Sequence, residues 1–148
     1  MKQLIIVLIT LLHISCFTAY AERVDMAAAG AITDGSKINT TLINSTIDRL
    51  NAHGGGTLFF PSGTYLTGSI KLKSNITIEL EAGATLLFSD NFDDYLPFVE
   101  MRHEGIMMKS FSPLISAVDA ENITIKVKEP STVRAKNAGT NFFVSLWI

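Results

Sequence analysis

A series of short apolar segments separated by glycine turns constrains this chain more than any other feature of its sequence. The series begins at Gly54-Gly55-Gly56 and continues to Leu86, and in residues 76–78 isoleucine alternates with threonine. Segments of strand length that repeat with turns between them are typical of solenoids, in which each strand stacks on an earlier one. The series therefore predicts an all-β chain coiled into a parallel β-helix.

The pattern of short apolar segments between turns predicts strands at residues 57–60, 64–66, 69–72, 76–80, 85–88, 114–117 and 123–125. An internal repeat supports the coiling, because SNITI around Asn75 returns as ENITI around Asn122, 47 residues later. At roughly 22 to 25 residues per coil, this shift predicts a separation of two coils. The isoleucines would face the core, each asparagine would bond the backbone at a corner, and residues 90–113 would form a longer loop.

The segment before these strands, residues 39–53, is predicted to form an amphipathic helix, because its apolar residues recur at helical spacing. Asn39 or Thr40 is the predicted N-cap, and Gly54 follows the helix with a residue that accepts the left-handed conformation. The first coil of a solenoid has no preceding neighbour to cover its apolar face. We therefore interpret this helix as the cap of the stack.

Residues 1–21 are predicted to be a secretory signal peptide. Lys2 precedes an apolar run that is too short to span a bilayer, and an A-x-A cleavage site ends at Ala21. Cys16 raises the alternative of a lipoprotein site, but His13 occupies the position where such sites usually carry leucine. The mature protein would then be secreted or periplasmic, with no stable membrane span.

The composition excludes several classes of function. The chain has 12 Lys and Arg against 14 Asp and Glu, without a basic stripe that could neutralise phosphates, so no nucleic acid partner is expected. Cys16 is the only cysteine and would leave with the signal peptide, which excludes a disulfide or a thiol nucleophile in the mature protein. The sequence also shows no metal-ligand spacing, and we predict no metal and no cofactor.

The order of motifs from Gly54 onward, GGGT, PSGTYLTGSIKLKSN and EAGATL, resembles the amino-terminal coils of glycoside hydrolase family 28, the polygalacturonase and rhamnogalacturonase group. The resemblance extends over residues 27–126 and involves many ordered positions. It implies a right-handed parallel β-helix of the pectin lyase-like type. For a full-length family member it also implies inverting hydrolysis of galacturonan or rhamnogalacturonan without a cofactor, with a pectic polysaccharide as the partner.

The resemblance further implies aspartates in NTD and DD motifs, followed by HG and RIK, because glycosidic hydrolysis needs an acid and a base. None of the four motifs occurs here in that form, and Asp93-Asp94 lies in an early loop without the other motifs. Asp34 before Gly35 is predicted to be a turn residue. No catalytic residue is therefore assigned. The alternatives are a non-catalytic glycan-binding or interaction module and a fragment of a β-helical lyase or epimerase.

Arg102, His103 and Glu104 are the candidate substrate-binding residues. The resemblance supplies a similar R-x-E-G at this place in related sequences, and the planar guanidinium of Arg102 can bind both oxygens of a uronate carboxylate. The alternative is an ion pair between Arg102 and Glu104 that only shapes the loop.

The segment after Lys126 departs from the family pattern. Where the family reads GxGTIDGQG, residues 127–135 read VKEPSTVRA, and codons for these residues can encode GEGTIDGQG when they are shifted by one base. We therefore predict a lost base near Lys126. Residues 22–126 would be the cap and first coils of a β-helix, residues 127–148 would be a frameshifted tail outside the family pattern, and the product would be a truncated, inactive hydrolase.

Overall fold

The computed structural model describes residues 21–136, apart from the side chains of residues 101–103. Its strands are β1 (Glu22–Asp25), β2 (Asp34–Ile38), β3 (Gly56–Phe60), β4 (Gly63–Thr67), β5 (Ile70–Leu72), β6 (Ile76–Leu80), β7 (Ala84–Phe88), β8 (Val99–His103), β9 (Ile106–Ser110), β10 (Ile115–Ala117), β11 (Thr124–Val127) and β12 (Thr132–Ala135). The helix α1 spans Thr40–Ala52, and a 3-10 helix spans Phe92–Tyr95. Nearly all of the predicted signal peptide and the end of the predicted tail lie outside the described residues.

The strands stack into three parallel sheets, which form the faces of a β-helix. Sheet 1 has the order β1-β3-β6-β11, sheet 2 has the order β2-β4-β7-β12, and sheet 3 pairs β5 with β10. The chain visits the three sheets in turn, through β3-β4-β5 and then β6-β7-β10, so that each coil lies on the previous one. The predicted right-handed parallel β-helix is confirmed.

Alternate residues of each strand face the inside of the coil and build the core. Leu58, Ile78 and Ile125 occupy paired positions in sheet 1, and the first two are at most 1% exposed. At the neighbouring corner the rings of Phe60 and Tyr65 pack edge to face, with centroids 5.1 Å apart. Each fully buried side chain of this kind contributes about 1.5–3 kcal/mol to stability. The inward direction predicted for the isoleucines is confirmed.

The two copies of the NITI repeat lie on adjacent coils, so the predicted separation of two coils was wrong. Thr77 pairs directly with Thr124, and Asn122 Nδ2 donates a hydrogen bond to Asn75 Oδ1 at 2.9 Å. The repeat is 47 residues long because this single coil carries residues 90–113 between β7 and β10. Both asparagines have positive φ, 62° and 57°, a conformation that asparagine tolerates better than most residues. Their predicted corner position is confirmed, but this hydrogen bond joins the two side chains, whereas the sequence predicted bonds to the backbone.

The helix α1 covers the start of the stack, as its amphipathic pattern predicted. Ile43, Ile47 and Leu50 are fully buried against the first coil. Asn39 occupies the N-cap position but makes no side-chain cap bond. Its amide instead accepts from the Ile32 N–H at 2.8 Å and donates to the Ile32 carbonyl at 2.9 Å, which ties the incoming chain to the helix. Within the part of the chain that the structure describes, no helix has the length and apolar character needed to cross a membrane.

Asp34 lies in a strand that the sequence did not predict, although its local contacts are those of a turn. Its Oδ1 accepts a hydrogen bond from the Ser36 N–H at 2.8 Å, and Gly35 has a φ of 75°. The pairing of β2 with β4 shifts its register in this segment. The local turn geometry was thus predicted correctly, whereas the strand around it was not.

The last described coil is uncovered on one side. Strands β11 and β12 pair with β6 and β7, so the stack continues past Lys126, the predicted end of the family-like coils. The inward residues Ile125, Val127 and Val133 are 37%, 47% and 40% exposed, whereas their partners one coil earlier are at most 1% exposed. Strand pairing uses backbone groups, which every reading frame supplies. The predicted change of frame therefore stays a prediction.

Candidate functional site

Residues 90–113, which we call the insertion, leave the coil stack after β7 of sheet 2 and return to it before β10 of sheet 3. The sequence predicted a longer loop here. The structure shows a 3-10 helix followed by the antiparallel hairpin β8-β9, so the segment is more regular than predicted. Segments that project from a rigid scaffold frequently carry binding groups. The insertion is therefore the candidate functional site.

A hydrogen-bond network around Ser89 fixes the base of the insertion. Ser89 Oγ donates to Asp94 Oδ2 at 2.5 Å and accepts from the Asn91 N–H at 3.1 Å. The hydroxyl of Tyr95 donates to the Ser89 carbonyl at 2.7 Å. Burial, followed by the nearby charges of Asp94 and Asp90, raises the pKa of Tyr95 to about 12. The phenol therefore remains a protonated donor even in the alkaline range, and it holds the insertion on the end of sheet 2.

The acidic pair Asp93-Asp94 belongs to this turn. Asn91 Oδ1 accepts from the Asp93 N–H at 3.2 Å, which caps the 3-10 helix. The carbonyl of Asp94 lies so close to Gly68 that a side chain at residue 68 would overlap with it. Both aspartates are therefore parts of a tight turn that packs against the preceding coil. Their positions are accounted for without a catalytic role for either carboxylate.

The three predicted substrate-binding residues lie at the tip of the hairpin. Arg102 and His103 are the last two residues of β8 and pair with the start of β9. Glu104 is exposed and has a φ of 50°, and Gly105 follows with a φ of 88°. Two consecutive positive φ angles are typical of a type I′ hairpin turn. The backbone thus brings the three residues to one projecting tip. Their binding role, and the alternative pair of Arg102 with Glu104, stay predictions.

Three phenylalanines form an aromatic cluster on the insertion that the sequence did not single out. The ring centroids of Phe98 and Phe111 are 4.8 Å apart, and those of Phe92 and Phe111 are 5.2 Å apart. Phe92 is 59% exposed, Phe98 is 54% exposed and Phe111 is 38% exposed. Their spacing follows neither the helix nor the strand period. The only signal in the sequence was the presence of aromatic residues in a segment rich in acidic residues.

The insertion is acidic. Its carboxylates are Asp90, Asp93, Asp94, Glu100 and Glu104, against the permanent cations Arg102 and Lys109. Lys109 stands opposite Glu100 in the hairpin, and Lys136 Nζ lies 3.9 Å from Asp90 Oδ1 at the base. Among the side chains that the structure describes, which leave out residues 101–103, no group of three or more His, Cys, Asp or Glu could hold a metal ion. The surplus of carboxylates disfavours anionic ligands on this surface.

The stacked parallel sheets make this chain a right-handed parallel β-helix protein. Comparisons with known proteins show which members of this fold class it is similar to. The chain is similar to exo-poly-α-D-galacturonosidase of Dickeya chrysanthemi, with 32% identity over 108 residues that cover 73% of this chain and 17% of the relative. It is also similar to a probable polygalacturonase of Vitis vinifera, with 34% identity over 85 residues that cover 55% of this chain and 17% of the relative.

Solved structures of exopolygalacturonases share the fold. The structure of a hyperthermoactive exopolygalacturonase from Thermotoga maritima has a TM-score of 0.67 and 36% identity, over 76% of this chain and 24% of that one. A family 28 exopolygalacturonase from Yersinia enterocolitica has a TM-score of 0.61 and 34% identity, over 72% of this chain and 20% of that one.

No protein-family model matches the chain. By sequence and fold, about 70% of its length is homologous to the polygalacturonases of glycoside hydrolase family 28, which confirms the family that the motifs predicted. The chain spans 17% of the length of the two sequence relatives.

Proposed function

We propose that this chain supplies the capping helix and first coils of a secreted, pectin-degrading hydrolase of the polygalacturonase type, and that it does not hydrolyse pectin alone. The observation that carries the proposal is the 36% identity to the Thermotoga exopolygalacturonase over 76% of the chain, together with the shared coil architecture. Galacturonan is the substrate class because both sequence relatives are named for its hydrolysis.

The proposed inactivity follows from the chemistry of glycosidic hydrolysis. An inverting glycosidase places an acid and a base on opposite sides of the scissile bond, about 6.5–9.5 Å apart. The only adjacent aspartates of the chain, Asp93-Asp94, belong to the turn at the base of the insertion, where Asp94 accepts a hydrogen bond from Ser89. A chain without a positioned acid and base cannot cleave a pectic polymer by this route.

Secretion is part of the proposal and is supported by the basic, apolar and A-x-A order of residues 1–21. Expression of the full chain in a bacterium, followed by mass spectrometry of the exported product, tests this point. A product that begins at Glu22 is the expected result. An uncleaved chain retained in the cytoplasm would contradict it.

Activity is tested by incubating the purified chain with polygalacturonate and measuring new reducing ends, with an active polygalacturonase as the positive control. We expect no release from this chain. Release above a heat-treated sample would refute the inactivity.

A second candidate, the non-catalytic glycan-binding module, is favoured by the exposed aromatic cluster.

The nucleotide sequence of the locus separates the truncated hydrolase from the binding module. If one base was lost near Lys126, the shifted frame should encode GEGTIDGQG and then NTD, DD, HG and RIK motifs in that order. Stop codons in the shifted frame soon after this position, or an open frame without aspartate motifs, would refute the truncated hydrolase and leave the binding module.

A further inference from the structure

We infer that the aromatic cluster of Phe92, Phe98 and Phe111 is a stacking site for uncharged sugar rings, such as those of methyl-esterified galacturonan. The inference rests on the proposed function for the identity of the polymer. It adds the place of binding and a preference for the esterified, uncharged form over the free acid.

The first argument is the exposure of the rings. Each ring contacts another at 4.8 or 5.2 Å between centroids, yet Phe92 and Phe98 remain 59% and 54% exposed. In the core of the same protein, Phe60 and Phe88 are completely buried. Contiguous exposed apolar surface is characteristic of binding sites on soluble proteins. The exposed parts of the rings provide apolar surface of the kind that packs against the C–H groups of a pyranose.

The second argument is the rigidity of the support. The cluster begins within the 3-10 helix, whose last residue, Tyr95, is buried and bonded to the Ser89 carbonyl. The Ser112 N–H donates to the Tyr95 carbonyl at 3.0 Å, and Ser112 Oγ donates to the Pro97 carbonyl at 3.2 Å. The two ends of the insertion are therefore tied together on either side of the rings. A surface that is already ordered loses little conformational entropy when a ligand binds.

The third argument is charge, and it decides between two forms of the polymer. Free galacturonan carries a carboxylate on each sugar, whereas the insertion carries five acidic residues against Arg102 and Lys109. Lys109 is opposite Glu100 in the hairpin, and Lys136 Nζ lies 3.9 Å from Asp90 Oδ1, so these charges balance locally. Asp93, Asp94 and Glu104 are then set against Arg102, which still leaves a negative surplus. Like charges on a ligand and its site raise the free energy of the complex. Methyl esterification removes the ligand charge and leaves the ring face unchanged, so the esterified polymer fits this surface better.

The test measures binding by isothermal titration calorimetry, with the full chain and the variants Phe92→Ala, Phe98→Ala and Val118→Ala. Val118 is the matched control because it is 77% exposed and lies outside the insertion. The ligands are methyl-esterified and unesterified oligogalacturonides of equal length and a neutral galactan oligosaccharide. Thermal melting of each variant verifies that it is folded.

We expect each phenylalanine variant to weaken binding of the esterified oligosaccharide by about tenfold, which corresponds to about 1.4 kcal/mol, and Val118→Ala to leave it unchanged. The unesterified ligand should bind more weakly, and the difference should shrink at about 1 M salt, where the Debye length falls to about 3 Å. The uncharged galactan should also bind, with the same dependence on Phe92 and Phe98. A galactan that does not bind would overturn the inference of a site for uncharged sugar rings.

Equal binding by the native chain and both phenylalanine variants would overturn the inference, as would tighter binding of the unesterified ligand at low salt. A lower sedimentation coefficient of the phenylalanine variants would assign the cluster to a contact between copies of the chain and would also overturn it. These results are independent of the nucleotide sequence beyond Lys126, so the inference and the proposed function can fail separately.

Discussion

Ile78 and Ile125, which are paired on the inner face of sheet 1, should differ sharply in their contribution to the stability of the chain. Ile78 is 1% exposed and lies between Leu58 and Ile125 in sheet 1, whereas Ile125 is 37% exposed at the uncovered end of the stack. Substitution of isoleucine by alanine removes roughly three carbon atoms, worth about 0.8 kcal/mol each when fully buried. At residue 78 the cavity left behind adds to this loss and brings the total to about 3–4 kcal/mol.

At residue 125 the same substitution removes a partly hydrated side chain and leaves a surface that water can reach, so no closed cavity forms. We expect Ile125→Ala to cost about 1 kcal/mol. The two variants should therefore differ by about 2–3 kcal/mol. With an m-value of about 1–3 kcal/mol per M for urea, the difference in unfolding midpoint is about 0.7–3 M.

The assay is urea unfolding followed by far-ultraviolet circular dichroism. Thr77→Ala is the control, because Thr77 is on the same strand but faces outward, and we expect a change of less than about 0.5 kcal/mol there. If Ile125→Ala costs as much as Ile78→Ala, the last coil is covered in solution, and the argument from its exposure is refuted.

Three further predictions concern the corners and charges of the coils. Asn75→Ala should destabilise the chain by about 1–2 kcal/mol in urea unfolding, because residue 75 has a φ of 62°. Asn75→Gly should destabilise it less, and equal losses of stability in the two variants would contradict this reason. Burial raises the pKa of Tyr65 to about 12, so the stability that the protonated phenol provides should be fully present below pH ~10 and lost as the pH rises toward 12. The loss of stability at alkaline pH should be smaller in Tyr65→Phe, and an identical loss in the variant and the native chain would contradict this prediction. The hydrogen bond from Arg23 lowers the pKa of Glu79, so the stability that this ionised glutamate provides should be lost only as the pH falls below the usual pKa of a glutamate. Arg23→Ala should raise the pKa of Glu79 in an NMR titration, and an unchanged pKa would contradict the assignment.

The predicted pattern of strands was most accurate where one coil followed another without interruption. Strand β6 was predicted with the bounds that the structure shows, and the neighbouring strands β3, β4 and β7 were predicted to within one residue. In β6 the residues that face the core are apolar, whereas Thr77 and Glu79 between them are polar, so the period of two can be read directly. The helix α1 was equally clear, because its buried residues Ile43, Ile47 and Leu50 repeat at helical spacing.

Predictions failed where the structure depends on contacts between distant segments. The hairpin β8-β9 and the aromatic cluster were missed, because the exposed strand β9 lacks a buried alternate face and the phenylalanines meet only through the fold of the insertion. The strands β1 and β2 were also missed. They are short and largely exposed, and each is stabilised by pairing with β3 or β4.

The sequence by itself determined the class of fold and the family, because alternation, glycine turns and ordered motifs are local properties that any coil of this kind must repeat. Only the tertiary structure decided which coils are neighbours. The separation of Asn75 from Asn122 was read as two coils, and it is one coil lengthened by the insertion. The number of residues between the two asparagines includes the insertion, but the pairing of β6 with β11 does not depend on that number. The insertion therefore lengthened the repeat while Asn75 and Asn122 stayed next to each other in space.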